Sequence, residues 1–257
     1  MAPVPLLSAS GIGKRFGALV ALSDVDLDIP AGELLALVGD NGAGKSTFIK
    51  ILAGVYPQSQ GEIRIDGAQV AFDSPQDASS AGIATIFQEL ALSENLSISE
   101  NVYLGREIIW RIAGIPFLRR GEMKRRVAGL LKELDAHVTD ADAIVGSLSG
   151  GQRQAVAICR ALNLQARLLI MDEPTAALAV AETRKVLELA RRLAARGCAM
   201  ILISHNIADV MEVADRIVVF RRGRKIAERR RDATNAEEII ALITGAHPDV
   251  RALEKAS

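Results

Sequence analysis

Cysteine is scarce: Cys159 and Cys198 are the only two in 257 residues, far apart and each in apolar surroundings. That spacing argues against a disulfide framework or a zinc site and fits reduced, buried thiols in a reducing compartment. Net charge is missing as well, because 31 basic residues meet 31 acidic ones, so no overall field draws the chain to nucleic acid or an anionic surface. Long apolar runs are absent. The longest, such as Leu168–Met171 and Ala199–Ile203, have the length of buried strands and fall far short of the roughly 20 residues that cross a bilayer. Met1–Ser10 has no basic region leading into an apolar stretch, so it does not read as a secretion signal, and no internal repeat or low-complexity segment is visible. What is present is a 49% hydrophobic composition, enough for a sizeable core in one large domain or one domain with an insert.

Short apolar runs alternate with helix-period stretches, which implies an α/β fold with a mainly parallel sheet. Leu34–Val38 reads as a buried strand entering a glycine-rich turn, after which Phe48, Ile49, Ile51 and Leu52 give a helix its buried face. Gly54 and Pro57 stop that helix. Glu62–Ile65 alternates polar and apolar residues into Asp66-Gly67, a hairpin signal, so an antiparallel piece follows. Residues 93–145 are charged and rich in helix formers, with Val127, Leu130, Leu131 and Leu134 at helical spacing, which predicts a helical insert. Arg106–Arg126, with Trp110 and Pro116-Phe117, has the composition of a membrane-facing patch but reads more simply as helix–loop–helix within that insert. Val186, Leu189 and Leu193 mark a helix stopped near Gly197, and Met200–Ile203 a strand ending at Ser204-His205. Thr234 and Glu237 have capping-box spacing ahead of Ile239, Ile240 and Leu242, Gly245 suits the stop, and residues 246–257 read as a loose tail.

The chemistry lies in three motifs. Gly39-Asp40-Asn41-Gly42-Ala43-Gly44-Lys45-Ser46-Thr47 matches a phosphate-binding loop in full, between a strand and a helix. Its glycines let successive backbone N–H groups face phosphate oxygens, Lys45 reaches the β- and γ-phosphates, and the Ser46 hydroxyl can ligate Mg²⁺. Leu168–Met171 is a buried strand ending in Asp172 and Glu173, where one acid can hold Mg²⁺ and the other orient and deprotonate water. Leu148-Ser149-Gly150-Gly151-Gln152 precedes Ala155, Cys159 and Leu162 at helical spacing, which puts an anion-favouring helix start at the glycines.

With that pentapeptide ahead of a strand ending in Asp-Glu, the chain resembles the ATP-binding cassette proteins, with the motifs from Phe16 to His205 in family order. The resemblance implies a P-loop NTPase (RecA-like) core of residues 1–92 and 155–245 with an antiparallel β subdomain, and a helical subdomain of residues 93–154 carrying the signature motif. It implies ATP and Mg²⁺ as cofactors, with Phe16 stacking on adenine, Gln88 touching Mg²⁺ and water, and His205 contacting the γ-phosphate. It also implies a homodimer, because Ser149, Gly150, Gly151 and Gln152 of one cassette complete the ATP site of the other. One departure is visible: the run after Pro174-Thr175 ends in Ala179 where the family usually has an aspartate, which monosaccharide-importer cassettes often lack.

Gly39–Gly42, Phe87-Gln88-Glu89-Leu90 and Glu173–Leu178 resemble the monosaccharide importers in particular, in their single-cassette branch. That implies a peripheral subunit on the cytoplasmic face of the inner membrane, bound to membrane permease subunits and served indirectly by a periplasmic sugar-binding protein. A branched-chain amino-acid importer is the alternative within transport. A soluble cassette ATPase acting on ribosomes or nucleic acid is the alternative outside it, motivated by Arg221, Arg222, Arg224, Lys225, Arg229, Arg230 and Arg231. A solvated edge around a hairpin at Arg222-Gly223 accounts for those charges more simply, so no nucleic-acid partner is expected.

Overall fold

The computed structural model describes residues 4–112, 115–134, 138, 140–176 and 178–250. Two sheets dominate it. The first is antiparallel, in the order β2-β1-β4-β5, with β1 Leu7–Phe16, β2 Leu19–Ile29, β4 Gln60–Ile65 and β5 Ala68–Val70. The second is mainly parallel, in the order β12-β11-β3-β10-β9-β6, from β3 Leu34–Val38, β6 Ile83–Ile86, β9 Leu168–Asp172, β10 Ala199–Ile203 and β11 Arg216–Arg221. Its antiparallel edge is β12 Arg224–Arg230.

The unbroken apolar runs have a direct cause, because the second sheet is covered on both faces. Leu35 and Leu37 of β3 enter one core with the antiparallel sheet and α1 (Lys45–Leu52), while Leu34, Ala36 and Val38 enter another. That other core takes in α5 (Gly150–Asn163), α6 (Val180–Ala195), α7 (Ile207–Val213) and α8 (Ala236–Thr244). It also takes in the insert's α3 (Ile98–Tyr103) and α4 (Arg120–Glu133), while α2 (Pro75–Ser80) joins the first core through Ala78. Arg216 ties the two sheets together. Its guanidinium donates to Glu33 at 2.8 and 2.6 Å and also reaches Glu228 and the Asp28 carbonyl.

Both expected hairpins form. Asp66-Gly67 and Arg222-Gly223 each place two consecutive residues at positive φ (50° and 79°; 48° and 76°), the geometry that matches strand twist in two-residue turns.

Elsewhere the structure differs from the sequence expectations. The helix–loop–helix expected at 106–126 is instead a hairpin, β7 Ile109–Ile112 and β8 Ile115–Leu118, leading into α4. Here β-favouring Ile, Trp and Phe prevail over the helix-formers that surround them. α5 runs unbroken across the expected 154–155 boundary, because the Ser149–Gln152 capping box fixes its start. At α8 the cap is Asn235, accepting from Glu238 N at 2.9 Å, one residue beyond Thr234; asparagine is the stronger cap. From the expected tail, Val250 is buried and Asp249 accepts from Arg229, while residues 251–257 lie outside the described residues. Cys159 is buried and Cys198 half-buried, and burial pushes their thiols up to about 12 and about 11, as expected of reduced, inert cysteines.

Candidate active site

β3 delivers the chain into the loop 39–47, and α1 begins at Lys45. The loop path requires glycine at two points in particular. At Gly39 (φ 149°) a Cβ would stand 2.2 Å from the Phe220 carbonyl oxygen, and at Gly44 (φ 103°) it would stand 2.7 Å from Leu22 Cδ2. Gly39→Ala is therefore expected to lose about 2–5 kcal/mol of stability from backbone strain and overpacking. That loss appears as a melting temperature lowered by about 5–15 °C in a chain of this length. A melt within about 2 °C of wild type would show that the loop relaxes at little cost.

Lys45 is buried and folds back on its own loop, its Nζ donating to the Gly39 carbonyl at 2.6 Å and the Asp40 carbonyl at 3.0 Å. Burial lowers its pKa from the ordinary lysine range, against the opposing pull of the Glu173, Asp172 and Asp40 carboxylates.

Those acids arrive on β9, whose last residue Asp172 pairs with Ile203 of β10. Glu173 then turns at φ 53°, unusual for a residue with a side chain, and its N–H donates to the Ile203 carbonyl at 3.0 Å. In this position its Oε2 meets His205 Nδ1 at the end of β10 in a close contact. Asp172 is held above the usual carboxylate range, first by burial and next by the Glu173 carboxylate, with Lys45 and Lys50 opposing. A folded-state pKa above the unfolded value means that ionising Asp172 costs stability as pH rises, in full above the folded pKa. Asp172→Asn is thus expected to melt higher than wild type at neutral pH without ligand, and to lose that advantage below about pH 4. Identical melts across the range would show the charge to be compensated already.

Phe16, Asn41–Thr47, Gln88, Asp172 and Glu173 line one cleft of ≈ 580 Å³. Gly39, Asp40 and His205 line an adjoining one of ≈ 650 Å³, and Asn41, Gln88 and Glu173 belong to both. Phe16 sits half-exposed at the rim, edge-on to Tyr56 with ring centroids 5.3 Å apart and Lys14 Nζ 5.1 Å from its own centroid.

Ser149–Gln152 are not brought to this cleft. Ser149 caps α5, and Gln152 returns Oε1 to the Ser149 N–H at 2.9 Å. The Ser149 hydroxyl donates to Glu182 Oε1 on α6 at 2.8 Å, and Ser149, Gly151 and Gln152 line a separate groove with Glu182, Lys185 and Leu189. Gly150 packs beside Leu178. Ala179 is the N-cap of α6 and makes no side-chain cap bond, the bond an aspartate there would supply. Ala177 lies outside the described residues.

Sequence reasoning missed the Arg222-Gly223 turn as part of the site. The Gly223 N–H donates to the Ala43 carbonyl at 3.0 Å, and both turn residues line the cleft with Lys45. Only the glycine hinted at it, since a hairpin signal does not say what the turn packs against. The basic run around that turn is largely paired: Lys225 with Glu228 at 3.1 Å, Arg229 with Glu238 at 2.8 Å and Arg230 with Asp232 at 3.3 Å. Among the described residues, no three His, Cys, Asp or Glu side chains gather into a metal-binding set, and no helix is long and apolar enough to cross a membrane.

The family model described as ABC transporter matches residues 22–176. The chain is 47% identical over 239 residues to the xylose/arabinose import ATP-binding protein XylG of Sulfolobus acidocaldarius, covering 93% of this chain and 94% of that one. It is 45% identical over 252 residues to the fructose import ATP-binding protein FrcA of Rhizobium meliloti, covering 96% of each. A dimeric ATP-binding cassette in a post-hydrolysis state, bound to ADP and Pi, superposes with a TM-score of 0.73 at 26% identity, over 88% of this chain and 98% of that one.

Proposed function

Because the chain belongs to the ABC transporter family, we propose that it is the ATP-hydrolysing subunit that energises import of a small sugar through a membrane transporter. The observation that carries this reading is the convergence of Asn41–Thr47, Gln88, Asp172 and Glu173 on one cleft, in a chain whose relatives are named for sugar import.

In this reading the loop N–H groups and Lys45 cradle the β- and γ-phosphates, and Phe16 at the rim stacks on adenine. The residues fit Mg²⁺, because Ser46 and Asp172 line one cleft and no all-protein metal cage competes among the described residues. A magnesium site of this kind is completed by substrate phosphates. Ser46, Asp172 and Gln88 would hold the ion, which neutralises charge on the phosphates when bound. Glu173 accepts a proton from the attacking water, Gln88 helps orient that water, and His205, in contact with Glu173, reaches the γ-phosphate.

Ser149–Gln152 of a second copy complete the site, so the working unit is a dimer; the separation of the two half-sites within one chain and the dimeric relative support this. Membrane permease subunits are the partners, with a periplasmic sugar-binding protein acting through them, and the chain works on the cytoplasmic face. A groove lined by Val55, Ser79, Phe87 and Arg160, next to Gln88, suits a helix of the permease. The acids beside Lys225, Arg229 and Arg230 favour the solvated-edge account of the basic run over the nucleic-acid alternative.

The test is to purify the tagged protein from its native membrane, identify the attached subunits by mass and follow ATPase activity with candidate sugars and their binding protein. Copurifying permease and sugar-stimulated turnover support the reading. Recovery only in soluble fractions with ribosomes or nucleic acid overturns it.

A further inference from the structure

All eight residues of β7 and β8 are exposed, and most are large and apolar: Trp110 is 61% exposed, Ile115 59%, Ile112 54% and Phe117 50%. A soluble protein scatters its exposed apolar residues singly, whereas here they form one projecting hairpin. All eight side chains are exposed, so burial against their own chain does not account for their apolar character, and two strands alone are marginal in water.

The surrounding charge is one-sided. Residues 106–126 hold seven basic residues and two acidic ones, in a chain that is neutral overall. Arg111 lies on β7 opposite Pro116, and Arg119 stands over the Trp110 ring at 5.3 Å. Of the two acids, Glu122 is already engaged by Arg119 and Arg126 at 2.8 and 2.6 Å. The base of the hairpin is fixed: Arg119 N–H donates to the Ile108 carbonyl at 2.8 Å, and Arg106 donates to Ser79 Oγ of α2 at 3.2 Å.

We propose that this hairpin is a membrane-surface foot, whose Trp, Ile and Phe side chains enter the interfacial zone of an anionic bilayer while the arginines around them engage lipid headgroups. Charge complementarity selects this occupant. An anionic leaflet offers negative headgroups directly above apolar chains, and tryptophan with flanking arginine is the pairing that settles at that boundary. The hairpin's chemistry stands alone; only the nearness of a bilayer rests on the transporter reading, since Ser79 also lines the groove suited to the permease.

Trp110 is the only tryptophan in the chain, so its fluorescence reports on the hairpin itself. The probe is a vesicle of phosphatidylglycerol and phosphatidylcholine, compared with phosphatidylcholine alone. The expected result is a blue shift and cosedimentation with the anionic vesicles, both weakened by salt. Phe117→Asp and Ile112→Asp should abolish both, and Arg111→Gln should weaken partition about fivefold, the equivalent of about 1 kcal/mol per basic residue near an anionic surface. Basal ATPase activity and melting temperature should stay unchanged in these variants, which shows that they fold. No shift with anionic vesicles at low salt overturns the proposal, as does an equal shift with neutral ones. A shift seen only with detergent-solubilised permease, or one that grows with protein concentration in the absence of lipid, also overturns it and gives the hairpin to a protein partner or a second copy. None of these outcomes alters copurification or sugar-stimulated turnover, so the two readings fail separately.

Discussion

Glu173→Gln is expected to bind ATP as wild type does while its turnover falls by about 10²–10⁴, the range that loss of a general base costs. The substitution keeps the size, the turn at φ 53° and a hydrogen-bonding side chain beside His205, and removes only the capacity to take a proton from water. In the proposed reading binding depends on the loop and on Lys45, whose Nζ is held by the Gly39 and Asp40 carbonyls, and the substitution touches neither. If two cassettes close on ATP and reopen after hydrolysis, the variant should also accumulate as an ATP-bound dimer. Nucleotide titration, single-turnover hydrolysis and size-exclusion chromatography with ATP read the three effects independently. Full turnover by Glu173→Gln would remove the residue from its proposed role, and unchanged binding with no dimer would confine the effect to chemistry.

Lys45→Ala is expected to fail one step earlier, at binding. The Lys45 ammonium lies within the influence of the Glu173, Asp172 and Asp40 carboxylates, and burial opposes its charge. Without it, a bound triphosphate would face those acids with no fixed cation between them. Truncating one partner of such a buried charge cluster costs about 3 kcal/mol or more. The dissociation constant for ATP should therefore rise roughly a hundredfold or more, measured by titration calorimetry, with a melting curve as the control for folding. An unchanged constant would show that the backbone N–H groups carry the phosphates by themselves. The contrast between the two variants is diagnostic: one binds without turning over, and the other does not bind.

Much of this was legible in the sequence, for a physical reason. A phosphate-binding loop needs glycine where a Cβ would strike Phe220 or Leu22, so the chemistry leaves a mark in the residue types. The β3, β9 and β10 runs are apolar without interruption because both faces of each strand meet a core, and that made the parallel sheet readable. What was not readable depends on distant partners. Nothing around Gly223 announces that its N–H will meet Ala43, and nothing in Ser149 announces Glu182, 33 residues away. β7 and β8 were misread because strand patterning is recognised by one buried face and one wet one, and this hairpin has no buried face. The α8 cap slipped by one residue because two adjacent residues, Thr234 and Asn235, can each begin a helix.

The hydrogen bond from Ser149 to Glu182 sets up a competition in the proposed dimer. The Ser149 hydroxyl has one hydrogen, and in this chain a carboxylate already holds it. If Ser149 completes the site of a facing copy, as proposed, the incoming phosphate and Glu182 would compete for that hydrogen, and two negative groups at one donor repel. Glu182 stands in the first turn of α6, nine residues beyond Glu173. Dislodging Glu182 would then be a cost of closing the proposed dimer that this chain sets by itself. By the same token, removing that carboxylate, as in Glu182→Ala, would leave the Ser149 hydrogen open to an incoming anion.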